Sequence, residues 1–290
     1  MANHDGKGLS PLLRWPGGKQ WLTEKLIALV PKEIGVYYEP FIGGAALFFA
    51  LRPARAVLGD ANRRLIETYE TVRDNPRAVE RALKKWPNTE RTYYRLRSKE
   101  FTTRVEKAAQ FIYLNKTCWN GLYRVNRRGK FNVPFSNNGR RVFDSDHLHH
   151  ASAALRTAEL VIGDFGLTLK RARERDFVYL DPPYITTHGN NNFRSYNERL
   201  FSWEDQKRLA VVANKLADQN CYVVLSNSAH QSIIELYKKF DQYEFTRHSV
   251  LAGKVSGRKK VREALFVSKN IKSRTKLLEG LQLRLHGITE

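Results

Sequence analysis

The chain has 290 residues, enough for one large domain or one domain with a sizeable insertion. With 42% hydrophobic and 11% aromatic residues it can fill a core, which excludes a disordered chain. It has no run approaching the roughly 20 apolar residues of a membrane span, no apolar secretory run at its start, and only two cysteines, Cys118 and Cys221, too few for a disulfide framework or metal cluster. A cytoplasmic protein without membrane or metal is the expectation. Fifty Lys and Arg against 29 Asp and Glu leave a net charge of +21. Such self-repulsion is relieved by a polyanion, and nucleic acid fits because phosphate contacts release condensed counterions.

The first predicted strand, Val36-Tyr37-Tyr38, ends at Glu39. It continues through Pro40-Phe41-Ile42-Gly43-Gly44-Ala45 into an apolar helix starting near Ala46. Glycines at a strand-to-helix turn let backbone approach a ligand closely, although Gly-Gly is also an ordinary turn. A second strand, Ala56-Val57-Leu58, closes at Asp60, about 20 residues on, where a carboxylate would hold ribose hydroxyls. Together these favour a nucleoside cofactor. Leu65, Tyr69 and Val72 then follow helical spacing.

From about Asn75 to His150 the pattern changes. Basic helical segments lead into the Asn-, Gly- and Arg-rich stretch Asn115–Phe135, whose composition suits tight turns and a hairpin. This region is predicted to be an insertion. Strand signals resume with Leu160-Val161-Ile162, Phe177-Val178-Tyr179-Leu180 and Tyr222-Val223-Val224-Leu225. The last two end at Asp181 and Ser226, and a helical pattern over Leu209, Val212 and Leu216 lies between them. Buried strands with functional groups at their carboxyl ends characterise an open α/β sheet.

Asp181-Pro182-Pro183-Tyr184 is the sharpest signal. Two prolines stop a strand, since neither donates to a ladder, and they stiffen the turn that holds an acceptor and an aromatic ring. Adenine N6 is a poor nucleophile because its lone pair is delocalised into the ring. Accepting both of its N–H bonds favours a more tetrahedral amine that can attack an electrophilic methyl. The Asp181 carboxylate and Pro182 carbonyl can be those acceptors while Tyr184 stacks on the extruded base. The other reading is a strand-ending turn with a solvated Asp.

Several motifs in one order resemble the Dam family of DNA adenine N6-methyltransferases, in the alpha group of amino-methyltransferases. They are Leu13-Arg-Trp-Pro-Gly-Gly-Lys19, Glu39–Gly44, Asp60-Ala-Asn62, Asn115–Phe135, Asp181–Tyr184, Phe193-Arg-Ser-Tyr196 with Phe201, Ser226-Asn227 and Arg258–Glu263. The resemblance runs from about Leu12 to Val267. It implies a Rossmann-like S-adenosylmethionine-dependent methyltransferase sheet with an inserted, mainly helical DNA-recognition domain bearing a β-hairpin. Residues 1–70 and 151–290 would form the catalytic domain and 71–150 the target-recognition domain.

The resemblance places Trp15, Lys19, Glu39, Phe41, Gly43, Asp60, Asp164, Phe165 and Asp181 against S-adenosylmethionine. For Trp15 the alternative is a core anchor, for Lys19 a surface charge at a helix start, and for Asp164 a helix cap. Arg124 would read guanine O6 and N7 through its fork. Trp119 and Asn120 would enter the duplex where adenine leaves, and Leu122 and Pro134 would meet a thymine methyl. Arg14 would make the base contact of the usual Lys, and Arg127, Arg128, Lys130, Arg140 and Arg141 would meet phosphates. A basic solvated hairpin with Trp119 packed inward is the competing reading.

Two departures stand out. Ser136-Asn137-Asn138 precedes Arg140 where the pattern has an Arg after Pro-Phe-Gly, which leaves GATC, a longer site around it, or a GAT-centred variant open. Pro16 replaces Ala. The run Gly189-Asn-Asn-Asn192 reads either as a loop over the target base or as a surface loop. A cytosine C5 enzyme is excluded, because its thiolate follows Pro whereas Cys118 follows Thr117 and Cys221 follows Asn220. An RNA adenine methyltransferase or a catalytically silent DNA-binding regulator are the alternatives. The basic hairpin disfavours the first and the intact Asp181–Tyr184 motif the second. A monomer acting on double-stranded DNA is expected, with or without a cognate restriction endonuclease acting separately.

Overall fold

The computed structural model describes residues 8–126, 128–136, 141–184, 201–248, 260–272 and 282–284. In chain order the elements begin with α1 (Thr23–Leu29), β1 (Tyr37–Glu39), α2 (Ala46–Leu51) and β2 (Ala56–Asp60). Five helices and a strand follow: α3 (Arg63–Asp74), α4 (Pro76–Lys84), α5 (Glu90–Ser98), α6 (Arg104–Thr117), α7 (Ser145–Leu155) and β3 (Ala158–Ile162). The remainder comprises α8 (Phe165–Leu169), β4 (Phe177–Leu180), α9 (Trp203–Asp218), β5 (Tyr222–Ser228), α10 (Gln231–Leu236), β6 (Asp241–His248), β7 (Lys260–Val267) and β8 (Gln282–Arg284). Each of the five apolar runs marked along the sequence is a strand.

The chain divides into two compact units, residues 1–27 with 42–165 and residues 28–41 with 166–290. In the first, β2 and β3 pair in parallel with Asp60 opposite Ile162. The helical spacing of Leu65, Tyr69 and Val72 puts all three on the fully buried face of α3, which packs against α6 and α7. The polar residues before the helices cap them: Asn62 accepts from Leu65 N–H, Thr89 from Thr92, Thr103 from Glu106 and Asp144 from His147.

In the second unit the strand order is β1-β4-β5-β7-β6-β8. β1, β4 and β5 run parallel, and β7, β6 and β8 continue antiparallel. β1 and β4 are buried at every residue, as parallel strands covered on both faces must be. The antiparallel strands lie outside the five apolar runs marked along the sequence. β6 alternates Tyr243 and Phe245 with Gln242 and Glu244, yet all four are buried. The polar pair is tolerated because Gln242 Nε2 donates to the carbonyls of Ile234 and Tyr237, and Glu244 pairs with Arg262.

Just before β4, Asp176 is only 2% exposed. Its Oδ1 accepts Val36 N–H at 2.7 Å and its Oδ2 accepts Arg173 N–H at 2.9 Å. Asp176→Ala strands two backbone donors, each costing roughly 1–3 kcal/mol when buried unpaired. The expected loss, about 2–6 kcal/mol, is read from the urea midpoint. A variant as stable as the parent contradicts this tie.

Candidate active site

In the first unit β2 delivers Asp60 to its carboxyl end. Asp60 Oδ1 accepts Asn62 N–H at 2.8 Å, and Oδ2 accepts Gly43 N–H at 3.2 Å. Burial outweighs these two donors and pushes the carboxyl up to about 6. Gly43 has φ +44°, and a Cβ there would stand 2.6 Å from Trp15 Cδ1. Tyr69 fixes the same turn by donating its hydroxyl to the Gly43 carbonyl at 2.9 Å. Trp15 is half-buried and stacks on Tyr123, with ring centroids 5.4 Å apart. Lys19 is not the surface charge its position at a helix start allows: it is 4% exposed and donates Nζ to the Gly17 carbonyl at 2.8 Å. Asp164 is exposed in the turn after β3, and Phe165 is buried at the start of α8.

A turn that tolerates no Cβ, an aromatic ring against it and a carboxylate with two of about four lone-pair sites taken fit a nucleoside bearing vicinal hydroxyls. S-adenosylmethionine is such a group, and these residues are chemically suited to it.

The predicted hairpin is shorter than its composition suggests. Asn115 and Thr117 belong to the last turn of α6, and Trp119–Gly121 form one 3-10 turn with Asn120 at φ 53°. Two antiparallel bridges, Cys118 with Phe135 and Val125 with Phe131, close the loop. Trp119 is 36% exposed, so it is not packed inward, and Pro134 is exposed with Leu122 half-buried. Arg124 is exposed, with Nε donating to Asn132 Oδ1 at 2.8 Å and Nη2 to the Asn132 carbonyl at 3.3 Å. Asn115 exchanges two hydrogen bonds with the Arg14 backbone, at 2.9 and 2.7 Å. Gly121 is pressed on the Arg14 stem, where a Cβ would fall 2.5 Å from Arg14 Cβ. The segment carrying Arg14 and Trp15 is thereby joined to the loop. Arg128, Lys130 and Arg141 are exposed. Arg127, Arg140, Asn137 and Asn138 lie outside the described residues, as do Gly189–Asn192, Phe193–Tyr196, Arg258 and Lys259.

The second unit gathers the remaining polar strand ends. Glu39 closes β1 at 3% exposure and accepts from Tyr37 Oη at 2.8 Å. Burial, then the Glu39 charge, hold the Tyr37 hydroxyl well above its ordinary range. Phe41 meets Phe201 edge to face with centroids 5.4 Å apart. After β4, Asp181 Oδ1 accepts from Ser226 Oγ at 2.7 Å, and Ser226 Oγ lies 3.1 Å from Tyr179 Oη. Pro182 is buried, and the Pro183 carbonyl accepts from Gln206 Nε2 at 3.0 Å. Asn227 Nδ2 in turn donates to Gln206 Oε1 at 3.1 Å. Tyr184 Oη donates to Glu263 Oε2 at 3.3 Å, and burial followed by the Asp181 and Glu263 charges keeps it a neutral phenol. The turn therefore offers an anchored carboxylate and a tethered ring. It is not the freely solvated Asp of the competing reading.

Ser226, Asn227 and Glu263 stand in motifs visible in the sequence, but their roles become legible only here. Tyr179, Gln206 and Asn132 gave no signal. The polar residue after an apolar run and the Ser226-Asn227 motif were the signs that pointed to Ser226.

These features define a Rossmann-like, S-adenosylmethionine-dependent methyltransferase. The chain belongs to the D12 class of N6 adenine-specific DNA methyltransferases, whose family model matches residues 15–251. It is 37% identical to the type II methyltransferase M1.LlaDCHI of Lactococcus lactis, over 90% of this chain and 95% of that protein. It is 33% identical to the type II methyltransferase M.MjaIII of Methanocaldococcus jannaschii, over 80% and 89% of the two chains. With the DNA adenine methylase of Escherichia coli K12 the identity is 30%, over 89% and 94%. It is thus an adenine-specific DNA methyltransferase that uses S-adenosylmethionine and acts on DNA. Among the described residues no cluster of three or more His, Cys, Asp or Glu could hold a metal ion, and no helix is long and apolar enough to cross a membrane.

The raised Asp60 carboxyl has a consequence for stability. The folded protein keeps this proton up to about pH 6, whereas the ordinary value is 3.8. The folded state therefore binds more protons in between, and this residue's contribution to stability falls as pH rises through that window. Asp60→Asn removes the dependence. Tm measured from pH 4 to 6 should decline less in the variant than in the parent; parallel profiles contradict the assignment.

Proposed function

We propose that the chain methylates adenine N6 in duplex DNA at GATC, or at a site with GATC or GAT as its core, with the adenine turned out of the helix. The observation that carries the reading is the rigid turn after β4, where Ser226 anchors the Asp181 carboxylate and Glu263 tethers the Tyr184 ring. Asp181 and the Pro182 carbonyl accept the two N6–H bonds, so the nitrogen lone pair becomes available, and Tyr184 stacks on the flipped base. S-adenosylmethionine, when bound, supplies the electrophilic methyl. Catalysis by the chain's own groups is then positioning and electrostatics, without a covalent enzyme intermediate.

Trp15, Lys19, Glu39, Phe41, Gly43, Asp60, Asp164, Phe165 and Asp181 are assigned to the cofactor. The Gly43 turn and the Asp60 carboxylate support this most directly. Residues 71–150 are assigned to target recognition, with 1–70 and 151–290 catalytic. Arg124, whose fork Asn132 holds, reads a guanine. The half-exposed Trp119 and its neighbour Asn120 take the place of the departed base, while Arg14, Leu122 and Pro134 contact bases and Arg127 and Arg140 serve the flanks. The protein works as a monomer in the cytoplasm, on each strand separately. The Lactococcus and Methanocaldococcus relatives are named type II methyltransferases, which favours a role beside a separate restriction endonuclease, whereas the Escherichia relative is named simply a DNA adenine methylase.

Transfer of labelled methyl to duplexes with and without GATC, followed by nucleoside analysis, tests the reading. N6-methyladenine confined to the GATC duplex is expected; equal labelling of both moves the question to the readout around residues 136–141. Asp181→Ala should abolish transfer while DNA binding persists, and normal turnover sinks the mechanism. Arg124→Ala should weaken discrimination at one base pair by roughly 1–3 kcal/mol; an unchanged ranking of single-base site variants refutes that role.

A further inference from the structure

Ser226 sits inside β5, two residues before its end, fully buried, with its backbone paired opposite Leu265 of β7. Its hydroxyl has one proton to give, and the 2.7 Å contact with Asp181 Oδ1 takes it, because a carboxylate can only accept. The 3.1 Å contact with Tyr179 Oη must then run the other way, with Tyr179 donating to Ser226 Oγ. The result is a directed chain from the Tyr179 phenol through the Ser226 hydroxyl to the Asp181 carboxylate. Its origin is buried too, Tyr179 being 2% exposed in β4. Burial, then the nearby Asp181 charge, hold the Tyr179 phenol well above its ordinary range, so it remains a donor. Each link polarises the next, and in a poorly hydrated setting such chains are stronger than isolated bonds.

Resting on the reading of Asp181 as the N6 acceptor, we infer that Ser226 is a positioning residue for the methyl transfer, and that Tyr179 holds Ser226 in the donating orientation. The geometric reason is that a carboxylate after a strand end can rotate about its terminal torsion, which is broad. A donor fixed in the neighbouring strand removes that freedom. The register explains why Ser226 can do this: Leu180 lies opposite Leu225 in the parallel pair, so Asp181 and Ser226 are the next residues on each strand. The contact links residues 45 apart in sequence by one step of strand register. An acceptor held in one rotamer favours the amine geometry needed at the transition state. Its loss should therefore slow the chemical step and leave substrate binding largely intact.

The test uses the full chain with S-adenosylmethionine and a duplex on which the parent is active, comparing Ser226→Ala, Tyr179→Phe, the double variant and Asp181→Ala. Thermal unfolding confirms that each is folded, and steady-state and single-turnover rates are measured. Ser226→Ala should lower kcat and the single-turnover rate about 10- to 100-fold, with KM for DNA and cofactor changed little. Tyr179→Phe should produce a smaller fall of the same kind. The double variant should be no slower than Ser226→Ala alone, because both changes break one chain. Parental rates in folded Ser226→Ala, a change confined to KM, or independent additive losses overturn the inference. If Ser226→Ala does not fold, Tyr179→Phe decides by the same rate and KM criteria. Activity in Asp181→Ala removes the underlying reading. An inactive Asp181→Ala beside a fully active Ser226→Ala removes the positioning role alone.

Discussion

A strand buried on both faces can keep a polar side chain satisfied in few places, and its carboxyl end is the main one. That constraint organises this protein. β1, β2 and β4 are apolar along most of their length; β1 and β2 end at Glu39 and Asp60, and Asp181 directly follows β4. Each carboxylate is only partly hydrated and so needs donors from the protein. Tyr37 serves Glu39, the backbone of Gly43 and Asn62 serves Asp60, and Ser226 serves Asp181. The same donors that offset burial also fix the direction in which each carboxylate presents its remaining lone pairs.

The three acids are not equivalent. Among the described residues Asp60 receives backbone N–H groups, from Gly43 and Asn62, and burial prevails over them, raising its carboxyl to about 6. Glu39 and Asp181 receive hydroxyls from neighbouring side chains, and their charges help keep Tyr37, Tyr179 and Tyr184 protonated. Phenols that cannot ionise are dependable donors, and Tyr184 stays neutral, as the stacking role proposed for it requires. Holding acids and phenols together costs desolvation, which buried apolar strands and the capped helices of both units offset.

The loop of residues 118–135, proposed to meet DNA, follows a different logic. Arg124, Arg128 and Lys130 are exposed, which agrees with the proposed phosphate contacts. What is fixed is the framework beneath them. The Val133 carbonyl accepts from both Tyr93 and Arg97 of α5, and Asn115 clasps the Arg14 backbone. The Trp15 ring stacks on Tyr123 of the same loop. A change at the Arg14–Trp15 segment is therefore felt in the loop through direct packing, with no intervening element required.

Much of this was legible along the chain. Five short apolar runs, those before Asp60 and Asp181 among them, gave five strands, because a parallel strand's burial is written in consecutive residues. The 3.6-residue spacing of Leu65, Tyr69 and Val72 gave α3, and the ordered motifs gave the family. The antiparallel strands lie outside the marked apolar runs: β6 does alternate Tyr243 and Phe245 with Gln242 and Glu244, but it has no continuous apolar stretch, and its polar face is buried as well. Tertiary structure alone decided the partners: Ser226 for Asp181 across 45 residues, Glu263 for Tyr184 across 79, and Asn115 for Arg14 across 101. It also decided that Lys19 is buried. Local sequence records which face of an element is apolar. Which hydroxyl meets which carboxylate depends on strand register and packing, and these exist only once distant segments have come together.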